Sequence, residues 1–191
     1  MILPIHIYGD PILRTETDDV AADSPELQQL IDDMIETMHG AAGIGLAAPQ
    51  VGRTERLFVV DLRPLYEDLT PEEIAALPPQ PMAFINPEIV WESDEDCAFE
   101  EGCLSIPDLR EDVVRPERIT IEYLDRHFER HEMEVGSLLA RVIQHEYDHL
   151  DGILFIDHIS AFRRGLLKRR LREMARGQVE ADYPLALDPA A

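Results

Sequence analysis

The chain is poor in cysteine and almost without lysine. Of its 191 residues only Cys97 and Cys103 are cysteines. Two thiols in a chain of this size are not a disulfide framework, so a cytoplasmic location is expected and either thiol is free for a metal or for catalysis. No apolar run approaches the roughly 20 residues that cross a bilayer. The stretch Met1 to Asp10 has no basic segment and too short an apolar one, so no signal peptide is expected. Lys168 is the one lysine among 17 basic residues, against 39 acidic ones, and the net charge is −22. Excess acid with little lysine suits a salt-rich cytoplasm, where screening removes self-repulsion. A GC-rich genome that writes Arg for Lys produces the same bias. Apolar residues make up 45% of the chain and charged ones 29%, ordinary for a soluble globular protein long enough to bury its own core.

The acidity is uneven. Residues 160–176 carry seven basic side chains and one acid, Glu173, while the rest of the chain stands at −28. This segment reads as a basic helix at the end of a catalytic domain spanning 1–176. Residues 177–191, aperiodic and with two prolines, read as a flexible acidic tail.

Ser24 and Pro25 suit the N-cap and first position of a helix, and Leu27, Leu30, Ile31, Met34, Ile35 and Met38 make one apolar stripe that stops at Gly40. Gly43 to Gln50 reads as a small-residue loop. Arg56–Leu62 reads as a strand buried on both faces. Residues 63–83 form an excursion holding the capping box Thr70-Pro71-Glu72-Glu73. Strands follow at 84–87, 89–91, 112–115, 119–124 and 132–135. A second strong helix starts at Ser137 and ends at Gly152. Strands gathered around one central helix predict an α+β fold: antiparallel or mixed sheets packed on that helix, flanked by the N-terminal and basic C-terminal helices.

That helix carries His145-Glu146-Tyr147-Asp148-His149. Two imidazoles four residues apart share a face and can bind one metal ion, and the glutamate beside the first can take a proton from a metal-activated water. An open catalytic site needs a third protein ligand. His158 and Asp157 are downstream candidates. Upstream, Glu101-Gly102-Cys103-Leu104-Ser105 offers a thiolate suited to a softer divalent ion. Cys97 reads as structural.

Gly43-Ile44-Gly45-Leu46-Ala47-Ala48-Pro49-Gln50, Glu101-Gly102-Cys103-Leu104-Ser105 and Gln144-His145-Glu146-Tyr147-Asp148-His149 resemble, in this order, the three signature blocks of the peptide deformylase family. Asp10 to Arg14 and Ile85-Asn86-Pro87 extend the likeness over roughly residues 3–175. The resemblance implies hydrolysis of the formyl group from N-formylmethionyl nascent peptides. It implies Cys103, His145 and His149 as ligands of one divalent ion, Fe(II) in the cell with Zn, Ni or Co as substitutes. Glu146 would be the proton carrier, and the Gln50 amide and Leu104 N–H the oxyanion donors. The peptide would lie extended along Ile44, Gly45 and Gly102. Ile44, Phe99, Leu138 and Val142 are candidates for the methionine pocket, and Arg110 for a peptide contact.

In the family a basic C-terminal helix contacts the ribosome, which helix 160–176 would do through phosphate contacts. Its arginines could instead pair with acids of this acidic chain. No membrane and no specific DNA is expected as a partner. Three other readings are a zincin-like peptidase, an inactive ribosome-bound relative, and an enzyme for another N-acyl substrate. A peptidase would need neither Cys103 nor Gln50, and an inactive relative would have no reason to keep all of the site residues.

Overall fold

The computed structural model describes residues 1–187. Strand β1 (Ile5–His6) leads through a turn of 3-10 helix at Pro11–Arg14 to helix α1 (Pro25–Gly40). Ser24 caps α1 as its sequence predicts: the side-chain oxygen accepts from the Leu27 N–H at 3.1 Å, with Pro25 in the first turn. Strands β2 (Gly45–Ala47) and β3 (Leu57–Val60) flank a second 3-10 turn at Ala48–Val51. Short helix α2 (Pro71–Ala76) closes the capping box of Thr70 and Glu73 inside the 63–83 excursion. Then follow β4 (Met82–Glu92), β5 (Asp96–Cys103), β6 (Ile106–Pro116), β7 (Arg118–Leu124) and β8 (Arg130–Gly136). Helices α3 (Ser137–Leu150) and α4 (Ala161–Met174) and strand β9 (Leu185–Ala186) complete the described residues.

Five strands form one antiparallel sheet in the order β2-β3-β4-β7-β8. Alternation along β3 explains why all four of its residues are buried. Phe58 and Val60 pack toward α3 with Phe84, Tyr123, Val142 and Ile143, while Leu57 and Val59 pack toward α1 with Ile31, Met34 and Met38. The sheet is thus clamped between the two helices that the apolar stripes single out. Phe58 and Phe84 stack at 4.6 Å between ring centres, and Tyr123 lies 4.4 Å from Phe84. β5 and β6 form a separate hairpin whose inner residues, with Leu154, Phe155, Leu171 and Met174, make a third apolar cluster. The α+β architecture is as the sequence leads one to expect.

Three local readings are corrected. Gly43 to Gln50 is not all loop, because Gly45–Ala47 pairs with β3. Residues 84–91 form one strand with a bulge rather than two: Asn86 adopts φ +49°, and its side chain bridges the N–H and C=O of Val20. The third concerns the tail. Gly177 turns left-handed at φ +71°, and the chain comes back so that Leu185 and Ala186 pair in parallel with Ile5 and His6. Residues 177–187 are therefore built into the fold, because β1 offers an unpaired edge and Leu185 packs on the third cluster. Residues 188–191 of the expected flexible tail lie outside the described residues.

Candidate active site

Helix α3 and the β5–β6 hairpin bring the three candidate ligands together. The ligand atoms of Cys103, His145 and His149 all lie within 4.8 Å of one another. Cys103 Sγ stands 3.3 Å from His149 Nε2. A tetrahedral ion with metal–sulfur and metal–nitrogen bonds of ordinary length would hold such a pair about 3.5 Å apart. The downstream candidates are occupied elsewhere: His158 Nε2 bonds to Asp148 at 2.7 Å, and Asp157 pairs with Arg14 and Arg164.

His145 is oriented by Glu101. Its Nδ1 lies 2.8 Å from Glu101 Oε2, which leaves Nε2 for a metal. Glu101 is in turn held by Arg115, whose Nε and Nη2 donate at 2.7 and 3.0 Å, and by Arg141 Nη1 at 2.8 Å. Arg115 also reaches Asp148 at 2.7 Å. Burial alone would raise the Glu101 carboxyl, but the His145 and Arg115 bonds dominate and hold it far below the usual carboxylate range. Burial, with His145 close by, pushes the His149 imidazole down to about 3, so it stands neutral, the form that binds a metal.

Glu146 sits against β2. An added Cβ on Gly45 would lie 2.8 Å from both Cγ and Cδ of the Glu146 side chain. The Glu146 residue is 4% exposed, its Oε2 has no hydrogen-bond partner among the described residues, and burial pushes its carboxyl up to about 7. Such a group can gain and lose a proton near neutrality. Nδ1 of His149 is likewise buried without a partner. The unpartnered Glu146 oxygen beside a Cys-His-His set fits a site built for an additional group.

Gln50 belongs to the same site although 53 residues separate it from Cys103. Its Oε1 accepts from the Ala47 N–H at 2.8 Å, which aims its NH2 at Ser105 Oγ (3.2 Å) and Cys103 Sγ (3.5 Å). Leu104 and Ser105 form the two-residue tip of the β5–β6 hairpin. In the β2–β3 register Asp61 N–H donates to Ile44 O at 2.9 Å. The Ile44 carbonyl is thus turned into the sheet, and by alternation the backbone of Gly45 faces the free edge of β2. Ile44 and Leu138 are partly buried against the cluster that contains Val142, whereas Phe99 is 47% exposed on β5 with the Arg141 guanidinium near its ring. Arg110 pairs in register with Gly102; its side chain is 68% exposed and 3.8 Å from Glu100.

Sequence reasoning missed Glu101, Arg115, Arg141 and Asp148 as supports of the site. The signal was partly present. Arg141 lies one helical turn before His145, and the alternation Leu109, Glu111, Val113, Arg115 turns Arg115 inward.

A Cys-His-His cluster with both histidines buried, beside the buried Glu146 carboxylate on an α+β scaffold, is the arrangement of a metal-dependent hydrolase. A family model described as polypeptide deformylase matches residues 2–165. The chain is 64% identical over 185 residues to a curated peptide deformylase of Salinibacter ruber, covering 97% of this chain and 94% of that protein. It is similar to the crystal structure of the Ehrlichia chaffeensis peptide deformylase, with a TM-score of 0.82, 36% identity, and 93% and 98% of the two chains covered. It also resembles the Met-Ala-Ser-bound class I type b peptide deformylase of Acinetobacter baumannii, with a TM-score of 0.74, 39% identity, and 83% and 99% covered. The chain belongs to the polypeptide deformylase family. Its activity is metal-dependent hydrolysis of the formyl group from N-formylmethionyl peptides. No helix among the described residues is long and apolar enough to cross a membrane.

Proposed function

We propose that residues 1–176, with 177–187 packed back on them, work in the cytoplasm as one catalytic domain in which Cys103, His145 and His149 hold a single divalent cation, Fe(II) in the cell, with Zn, Ni or Co able to take its place. The observation that carries this reading is the buried, unpartnered Glu146 carboxylate beside the Cys-His-His cluster. When bound, the cation supplies Lewis acidity and makes a nucleophile of water at neutral pH.

The chain's own groups then divide the work. Glu146 takes the proton of the attacking water and delivers it to the departing amine nitrogen. Water adds to the formyl carbon, the carbon–nitrogen bond breaks, and formate and a free methionine amine leave. Gln50 Nε2 and the Leu104 N–H donate to the formyl oxygen as it gains charge. Ala47 fixes the Gln50 amide in advance, so little reorganisation is needed. Glu101 sets the tautomer of His145.

The peptide lies extended beside Ile44, between the free edge of β2 at Gly45 and Gly102 of β5. Ile44, Leu138 and Val142 receive the methionine side chain, and Arg110, opposite Gly102, lies beside the peptide. The Met-Ala-Ser bound to the Acinetobacter relative begins with the same residue. The test is formate release by anaerobically prepared, Fe(II)-loaded protein from formyl-Met-Ala-Ser, beside acetyl-Met-Ala-Ser and an internal peptide bond. Formate from the formyl peptide with the other two untouched is the expected result. Cleavage of the internal bond, or no formate, would contradict the reading.

We further propose that α4 meets ribosomal phosphates. Arg163 is taken by Glu111, Arg164 by Asp157 and Arg169 by Glu173. Lys168, Arg170, Arg172 and Arg176 have no ion pair among the described residues, so part of the basic face is free for an outside anion. Charge reversal at Lys168, Arg170 and Arg172 is expected to abolish co-sedimentation with ribosomes; unchanged co-sedimentation would refute the contact.

A further inference from the structure

The turn at Leu104 and Ser105 carries the heaviest demands in the site. It follows the ligand Cys103, and Leu104 supplies an N–H to the oxyanion in the reading above. Three bonds tie it down. Gln50 Nε2 holds Ser105 Oγ at 3.2 Å, and the Tyr8 N–H donates to Ser105 O at 2.8 Å. The third comes from the far end of the chain: the Tyr183 hydroxyl donates to Leu104 O at 2.7 Å.

Tyr183 is placed by what surrounds it. The left-handed Gly177 reverses the chain after α4. Ile5 N–H donates to Pro184 O at 2.9 Å, and β9 pairs with β1 immediately after. The Tyr183 ring packs on the α1-side core together with Leu104 itself. Burial and the nearby Cys103 and Asp108 raise the phenol above its ordinary range, so it remains a hydrogen-bond donor throughout physiological pH.

We propose that residues 177–187 form a strap and that Tyr183 is a positioning residue, holding the Leu104 carbonyl so that the turn presents the Leu104 N–H and the Cys103 sulfur in catalytic geometry. The catalytic part of this proposal rests on the role given to Leu104 above. Tyr183 touches no reacting atom and acts through the turn. Fixing the carbonyl on one side of the Leu104 α-carbon limits rotation about that residue, and a shift of about 1 Å in an oxyanion donor costs on the order of a hundredfold in rate.

The experiment is Tyr183→Phe in the full-length chain at matched metal content, read by amide hydrogen exchange at residues 104–106 and by steady-state kinetics on formyl-Met-Ala-Ser. The ring and its packing survive in this variant and only the hydroxyl is lost. The expected result is faster exchange at the turn, with kcat lowered about tenfold and KM unchanged. A loss confined to KM, or exchange and kcat both at parent values, overturns the proposal while leaving the role of Leu104 intact. Faster exchange with full kcat removes the Leu104 amide from the oxyanion site and overturns the catalytic part of the proposal with it. Should the variant melt well below the parent, Tyr183→Trp, which keeps an apolar ring there and moves the donor, replaces it with the same expectations.

Discussion

Gly45 leaves the space that the Glu146 side chain fills. Any Cβ at position 45 would stand 2.8 Å from the Cγ and Cδ of Glu146 and closer still to one carboxylate oxygen. Glycine is required there by a close approach and not by a turn: Gly45 lies within β2 and is not among the glycines with positive φ.

Gly45→Ala is therefore expected to displace the Glu146 carboxylate and lower kcat by about a hundredfold. The Cys-His-His cluster lies on other elements, so metal content should stay at one per chain. Kinetics and metal analysis on the same preparation check this. A kcat within a few-fold of the parent would show that the carboxylate does not need its present position.

Glu101 is the hub of a buried charge network. Glu101→Gln removes the negative charge shared by Arg115, Arg141 and His145. Leaving the buried Arg141 cation without its carboxylate costs on the order of 3 kcal/mol, and losing the orienting partner of a ligating histidine weakens metal affinity by about 10–100-fold. Urea unfolding and metal competition measure the two effects separately.

Asp61 predicts part of the acid sensitivity. Its side chain is buried, and Arg63 and His39 hold its carboxyl below the ordinary value, outweighing burial. A carboxyl lowered in the fold stabilises it at pH values above its unfolded value of about 3.9, and that stabilisation fades as pH falls through the folded value. Asp61→Asn should lower the melting temperature at pH 7 and narrow its gap to the parent below about pH 4. A gap that is the same at both ends would remove Asp61 from the acid response.

With a net charge of −22, screening by salt should stabilise the fold. The melting temperature is expected to rise from low to molar KCl. Maximal stability at low salt would assign the composition to codon bias instead.

The parts of the molecule legible in the sequence are those with a period. Helices α1 and α3 show their apolar stripes, and the blocks that contain Gln50, Cys103 and the two histidines carry their chemistry openly. Strand β5 was not legible, because residues such as Phe99 face outward and blur the alternation. The Glu101 network was illegible because its partners come from β6 and α3, and only the register of Glu101 opposite Glu111, with Arg115 two inward positions further along, brings them together. The return of the tail onto β1 has no local signal at all, since two residues paired with two others leave no periodicity.

The central claim is that Glu146 carries the proton in a site assembled by Cys103, His145 and His149. The direct measurement is metal content and formate release from formyl-Met-Ala-Ser for the parent and Glu146→Gln, side by side. One metal per chain is expected in both proteins, with a loss of kcat of about a thousandfold or more in the variant. Comparable release from both proteins at equal metal content would contradict it.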